Sequence, residues 1–175
     1  MIHTIFMAGY GGQGIMFMGQ FLAHLGMANN THVSWVPAYG PEMRGGSANC
    51  TVVISSEEIY FPIVSEPEAT IIMNEPSYRR FKTKFSPKYK VVNTSLVVPD
   101  IDDSIVEVPA SKIAEDLGNV RVANMVMVGS YIEIIKDIET SKVEDVLKIL
   151  LKERPHLIDI NLKAFDAGRK FVGGK

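Results

Sequence analysis

The sequence predicts a three-layer α/β/α domain with a mostly parallel sheet and a Rossmann-like first βα unit. Three observations carry this. Short, apolar, β-prone runs alternate with segments of helical apolar spacing, the pattern of βαβ units. The first run ends in a glycine-rich turn that opens a helix. No linker-like stretch and no internal repeat divides residues 1–175, so one domain is expected over that span.

The elements follow in order. "HTIFMAG" (3–9) reads as a buried strand ending in glycine. From Ile15 to Ala28, Met18, Phe21, Leu22 and Leu25 recur at helical spacing, and "ANN" then favours a turn. "HVSWV" (32–36) is a second strand. "PAYGPEMRGGS" (37–47), with two prolines and three glycines, is a loop. "ANCTVVIS" (48–55) is a third strand, and "EEIYFP" after it is expected to pair back as a hairpin through a turn at Ser56-Glu57. "EATIIMN" (68–74) is a core strand, followed by a helix with Pro76 as its first residue. "YKVVNTS" (89–95) and "SIVEVP" (104–109) are further strands. "ASKIAEDLG" is a short helix stopped by Gly118. "VANMVMVGSYIEIIK" (122–136) is apolar nearly all round and therefore a buried helix. Ser141 to Glu144 fits a capping box that opens a helix to about Lys152, closed by Pro155. "DINLKAFDAGRKF" (159–171) is the terminal helix.

Bulk properties narrow the function. A net charge of −2 with dispersed Lys and Arg gives no basic block for nucleic acid or an anionic membrane. No apolar stretch is long enough to span a bilayer, and "MIHTIFMAGYGG" lacks a basic leader, so a cytoplasmic protein is expected. Cys50 is the one cysteine, which excludes an intrachain disulfide and an iron–sulfur cluster held by this chain alone. The four histidines are scattered without metal-ligand spacing. The methionines at 7, 16, 18, 125 and 127 read as core filling, and Cys50 as an inert buried thiol. Trp35 reads as a core or interface residue.

"AGYGGQGIM" (8–16) carries Gly9-x-Gly11-x-x-Gly14 between a strand and a helix, the context of a dinucleotide fingerprint. Free N–H groups and the dipole at that helix start suit an anion. The dinucleotide reading also needs an acid at the end of the second strand for the ribose. "HVSWV" has none, and the next acid is Glu42, well into the following loop. A P-loop is excluded because no Gly-Lys-Ser/Thr follows. That second loop, "YGPEMRGG" (39–46), sets Glu42 and Arg44 among glycines, and Arg44 has the geometry for a carboxylate or phosphate. Both glycine-rich loops follow strand ends, where open α/β sheets meet their ligands or partners.

"GYGGQGI", "YGPEMRGG", "TVVIS" with the following "FP", "NMVMVGSYIE" and "NLKAFDAG" together resemble the gamma subunit of 2-oxoacid:ferredoxin (or acceptor) oxidoreductases over the whole chain. The resemblance implies a complex that oxidatively decarboxylates a 2-oxoacid with coenzyme A to acyl-CoA and carbon dioxide. It implies thiamine diphosphate and Mg2+ on the alpha and beta subunits, iron–sulfur clusters on the beta and delta subunits, and reduced ferredoxin or another acceptor as product. It implies no catalytic residue and no cofactor held by the gamma chain alone. The sequence agrees, since it has no cysteine set and no Gly-Asp-Gly diphosphate motif. Pyruvate, 2-oxoglutarate, branched-chain oxoacids and indolepyruvate serve relatives. The compact single domain is most similar to the 2-oxoglutarate branch.

The candidate loop and interface residues are Gly9, Gly11, Gly12, Gln13 and Gly14, then Tyr39, Gly40, Pro41, Glu42, Arg44, Gly45 and Gly46, together with Asn124. Gln13 is expected to bridge to a partner through its amide. Asn124 is expected either to cap its helix or to bond a backbone group of a glycine-rich loop, since a buried amide without partners costs about 1–3 kcal/mol. Expected partners are the alpha, beta and ferredoxin-like delta subunits and the electron acceptor, with a homodimer when isolated. The competing reading is a free-standing nucleotide- or anion-binding protein using the Gly9–Gly14 loop.

Overall fold

A computed structural model of the chain describes residues 1–38 and 47–174. The elements run β1 (Ile2–Tyr10), α1 (Ile15–Ala28), β2 (His32–Ala38), β3 (Ser47–Ser55), β4 (Ala69–Ile72), α2 (Glu75–Phe81), β5 (Tyr89–Asn93), β6 (Ile105–Val108), α3 (Ala110–Asp116), α4 (Ala123–Ile135), α5 (Val143–Leu150) and α6 (Ile158–Gly173). The sheet has six strands in the order β2-β3-β1-β4-β5-β6. β1, β4, β5 and β6 pair in parallel, and β3 runs antiparallel to both β1 and β2. β2 therefore points the same way as β1, and β3 is the one reversed strand among the described residues. This is a mixed sheet of α/β type.

Strand alternation assigns the two faces. Ile5, Met7, Cys50, Val52, Ile54, Ile71 and Val91 join one large cluster with residues of α1, α3, α4, α5 and α6. Phe6, Ala8, Ile72 and Val92 join a smaller cluster with Tyr78 and Phe81 of α2 and with Phe85. Among the described residues, the second layer is thus a single seven-residue helix and irregular chain. α4 is buried continuously from Ala123 to Ile132, as its all-round apolar sequence requires. It meets α6 at backbone contact. A Cβ on Gly129 would land on the Phe165 carbonyl, and one on Gly168 would land on the Val126 carbonyl.

Several expectations are corrected. Residues 57–62 form no strand, and β3 takes β2 and β1 as its antiparallel neighbours instead. Pro62 and Pro67 lack ladder donors, which keeps this stretch out of a sheet. β3 also lies between β1 and β2, so the first βα unit is Rossmann-like in connection but not in strand adjacency. Asn74 caps α2, its Oδ1 accepting from Ser77 N at 2.9 Å, which places Pro76 second in the helix. The capping box at Ser141 does not form. α5 begins at Val143, one residue later than the box requires, and Ser141 Oγ bonds Glu139 Oε1 at 2.8 Å. Pro155 opens a 3-10 turn into α6, well after α5 ends at Leu150.

Candidate functional site at the carboxyl edge of the sheet

α1 packs on one face of the sheet and α2 on the other. The chain reverses its winding between β1 and β4, so their carboxyl ends flank the topological switch point, the place where open α/β sheets bind ligands. Tyr10, Gly11, Gly12, Gln13 and Gly14 make the turn from β1 to α1. Gly12 (φ 96°) and Gly14 (φ 74°) lie in the left-handed region that favours glycine. Gly14 is also the N-cap of α1, with no side chain to occupy the first turn.

Gln13 folds back into this turn. Its Oε1 accepts from Tyr10 N at 2.7 Å and from Asn74 Nδ2 at 2.8 Å, which joins the end of β1 to the residue that caps α2. Further along the edge, Asn93 Nδ2 donates to Met73 O at 3.2 Å and to Ser111 Oγ at 2.9 Å. Asn124 Nδ2 donates to Gly14 O at 3.4 Å, so of the two alternatives for this buried amide the structure has the bond to the glycine turn, and Val122 is the N-cap of α4. Side-chain amides therefore join β1, β4, β5, α3 and α4 along one edge. Asn74 and Asn93 were not singled out from the sequence. The available signal was that "ATIIMN" and "KVVN" both end an apolar run in Asn.

The glycines divide by what surrounds them. A Cβ at Gly9 would meet Ile15, Gln13 and Met73, and one at Gly14 would collide with Asn124. Packing within this chain is enough to explain both. A Cβ at Gly11 or Gly12 would meet no described atom within 4 Å, so a partner has room to approach there. Beside the turn lies a cavity of about 170 Å³ lined by Gly12, Gln13, Met73, Ser111 and Arg121, among others.

The second loop, with Tyr39, Gly40, Pro41, Glu42, Arg44, Gly45 and Gly46, lies outside the described residues. Its flanks are placed: Ser47 is the register partner of Tyr10, and Ala38 that of Asn49. Ala38 and Ser47, the described residues on either side of it, lie at the same carboxyl edge as the glycine turn.

Among the described residues, the edge holds no catalytic set, and no group of three or more His, Cys, Asp or Glu side chains is placed to hold a metal ion. Cys50 is buried under α1, and burial pushes its thiol up to about 12, so it is no thiolate for a cluster. His3, at the opposite edge of β1, is buried with Nδ1 3.1 Å from Glu68 Oε2 and Nε2 3.5 Å from Asp137 Oδ2. Among the described residues, no helix is long and apolar enough to cross a membrane.

Fold and site together define an α/β domain with a glycine turn, braced by side-chain amides, at the carboxyl edge of its sheet. The chain belongs to the pyruvate ferredoxin/flavodoxin oxidoreductase family, which residues 4–171 match. The 2-oxoglutarate synthase subunit KorC of Methanothermobacter marburgensis is 31% identical to it, the match covering 94% of this chain and 94% of that subunit. The ketoisovalerate oxidoreductase subunit VorA of Methanothermobacter thermautotrophicus is 33% identical over 94% of this chain. There the chain spans about a third of the relative's length (35%). Among solved structures, the 2-oxoglutarate:ferredoxin oxidoreductase of Magnetococcus marinus, with 2-oxoglutarate, coenzyme A and succinyl-CoA bound, superposes with a TM-score of 0.87 at 25% identity. That match covers 99% of this chain and 31% of the other. The keto/oxoacid ferredoxin oxidoreductase gamma subunit of Geobacter sulfurreducens shares the fold, with a TM-score of 0.81 at 21% identity over 99% of both chains.

Proposed function

We propose that this chain is the gamma subunit of a thiamine-diphosphate-dependent 2-oxoacid:ferredoxin or acceptor oxidoreductase, with 2-oxoglutarate as the oxoacid. The complex would convert the oxoacid and coenzyme A to acyl-CoA and carbon dioxide. The observation that carries the reading is the match to a 2-oxoglutarate synthase subunit over 94% of both chains. The residues present do not fit the complex's cofactors: one buried cysteine holds no iron–sulfur cluster, and the described residues offer no metal set. Thiamine diphosphate, Mg2+ and the clusters belong in this reading to the alpha, beta and delta subunits, and the hard chemistry to those cofactors.

On this reading the carboxyl edge is the face toward the catalytic subunits. Gly11 and Gly12 leave room for a partner's backbone. Gln13 Oε1 is engaged within the chain, which leaves Nε2 as the amide atom to bridge to a partner. Arg44 and Glu42, which lie outside the described residues, would fix the second loop and meet the coenzyme A or substrate entrance. An isolated chain, deprived of its partners, self-associates through its exposed apolar surface. The free-standing nucleotide-binding reading is weaker, because Gln13 takes up two donors that face the switch-point crevice. Arg44→Ala, measured in reconstituted complex, tests the loop's role. The reading expects weaker assembly or a raised KM for coenzyme A. Unchanged values for both contradict it.

A further inference from the structure

On the face that carries α2, the sheet beyond β1 encloses a chamber. Strand alternation and register turn Thr70 and Ile72 of β4, Lys90 and Val92 of β5 and Ile105 of β6 to this face. Among the described residues α2 is the one helix here, and it does not fill the space above these strands. A cavity of about 200 Å³ remains, lined on its apolar side by Ile72, Val92 and Ile105 and by Phe81 and Phe85. An engineered apolar cavity of about 150 Å³ takes a benzene molecule, so this one has room for a branched aliphatic or single-ring group.

The mouth of the cavity is polar. Of the segment 98–102, Asp100 and Asp102 line the cavity, while Val98 is 83% exposed and Ile101 is fully exposed. A segment that only sealed a core would turn the opposite set inward. Each carboxylate faces a cation: Lys82 Nζ lies 2.6 Å from Asp100 Oδ2, and Lys90 Nζ lies 2.6 Å from Asp102 Oδ2. Tyr78 fixes the first pair, its hydroxyl donating to Asp100 Oδ2 at 3.3 Å and accepting from Asp100 N at 3.0 Å.

These pairs leave bonding capacity unused. Asp100 Oδ1 has no partner among the described residues. Each ammonium has three donors and one carboxylate partner. The mouth therefore offers an acceptor to a cation and donors to an anion, and its two Lys and two Asp sum to no net charge. A ligand with a net charge would leave that charge uncompensated beside an apolar chamber, which is costly. A zwitterion leaves none, and its charge-assisted bonds are roughly twice as strong as those of a neutral head group.

We propose that this cavity binds a free α-amino acid with an apolar side chain of leucine to phenylalanine size. The side chain enters among Ile72, Val92 and Phe81, the ammonium meets Asp100, and the carboxylate meets the lysines at the mouth. The site is separate from the carboxyl edge, since no residue of the glycine turn lines it. It does not depend on the subunit role proposed above.

The test is calorimetric titration of the full chain with L-leucine and L-phenylalanine, and with 3-phenylpropionate, phenethylamine and toluene, which lack one charge or both. Methyl chemical shifts of Ile72 and Ile105 locate the ligand. The expected result is saturable binding of at least one of the two amino acids, with shifts at those methyls. Each analogue that lacks a charge should bind at least about tenfold more weakly, as the loss of a charge-assisted bond requires. Lys82→Met/Asp100→Asn, whose side chains are partly exposed, should keep the wild-type circular dichroism and lose a similar factor in affinity for the amino acid. The analogue series needs no substitution, so it decides the question even where the variant is unstable. Toluene binding as tightly as the amino acids overturns the zwitterion assignment. Shifts confined to the glycine turn, or no saturation by either amino acid below about 10 mM, overturn the site.

Discussion

Gln13 Oε1 lies 2.8 Å from Asn74 Nδ2, and this bond joins the turn after β1 to the cap of α2 across the switch point of the sheet. The same oxygen accepts from Tyr10 N at 2.7 Å. Gln13→Ala leaves both donors without this acceptor. We expect a loss of about 1–2 kcal/mol in urea unfolding, and Gln13→Glu should recover part of it because a carboxylate oxygen accepts the same bonds. Equal stability of Gln13→Ala and wild type would show that water replaces the amide at no cost.

Gly14 should be intolerant for two separable reasons. Its φ of 74° disfavours a side chain, and its Cβ would collide with Asn124. Gly14→Ala is expected to cost about 2–3 kcal/mol, combining left-handed strain with overpacking. Asn124→Ala removes the collision but not the strain. In a double-mutant cycle the pair should therefore cost less than the sum of the single changes. Strict additivity would contradict the contact. Gly11→Ala, with open space at its Cβ, should stay within about 0.5 kcal/mol of wild type.

α4 and α6 meet at backbone contact. Gly129→Ala and Gly168→Ala each drive a methyl into a backbone carbonyl of the facing helix. Each should cost about 3 kcal/mol or more, at the upper end of overpacking, and calorimetry should show a much lower Tm. A near-neutral result at either position would mean that the helices are spaced more widely.

Much of this was legible in the sequence. α1 falls on the expected residues 15–28, because strand-turn-helix punctuation and four apolar positions agree. The buried character of α4 was legible from its all-round apolar composition. Strand order was not, since no periodicity says that β3 inserts between β1 and β2. The stretch at 57–62 misled because Ile59, Tyr60 and Phe61 have strand-like composition. The Tyr60 and Phe61 rings point to solvent, so the composition reflects a surface and not a ladder. Of the site, the glycine turn was legible, while for Asn124 the sequence left a helix cap and a bond to a glycine-rich loop open, and the structure has the bond to Gly14. The Gln13–Asn74 bond was not, because it joins residues 61 positions apart.

Cys50 should be silent to thiol reagents in the folded chain. It is buried, and burial pushes its thiol up to about 12, so at neutral pH essentially no thiolate forms. Its thiolate fraction would rise only as pH approaches that value. A thiol-reactive chromophore should label it only after denaturant is added. Fast labelling of native protein at pH 7 would contradict the burial.

Asp102 bonds Lys90 Nζ at 2.6 Å and Ser104 Oγ at 2.6 Å, and these bonds hold its carboxyl below the ordinary 3.8. A depressed folded value stabilises the fold fully above the ordinary value, and the effect is lost as pH falls through the folded one. Asp102→Asn should therefore lower Tm slightly at neutral pH, and the gap should close in acid. A gap that persists unchanged far into acid would assign the effect to something other than ionisation.

On the proposed function, this chain completes an oxidoreductase whose reaction centre lies on other subunits. The direct measurement is coenzyme A-dependent oxidation of 2-oxoglutarate by the alpha, beta and delta subunits, assayed with and without this chain, and by the chain alone. The expected result is no turnover by the chain alone, little by the incomplete complex, and recovery when the chain is added. Turnover by the partner subunits that is the same with and without the chain would contradict the claim.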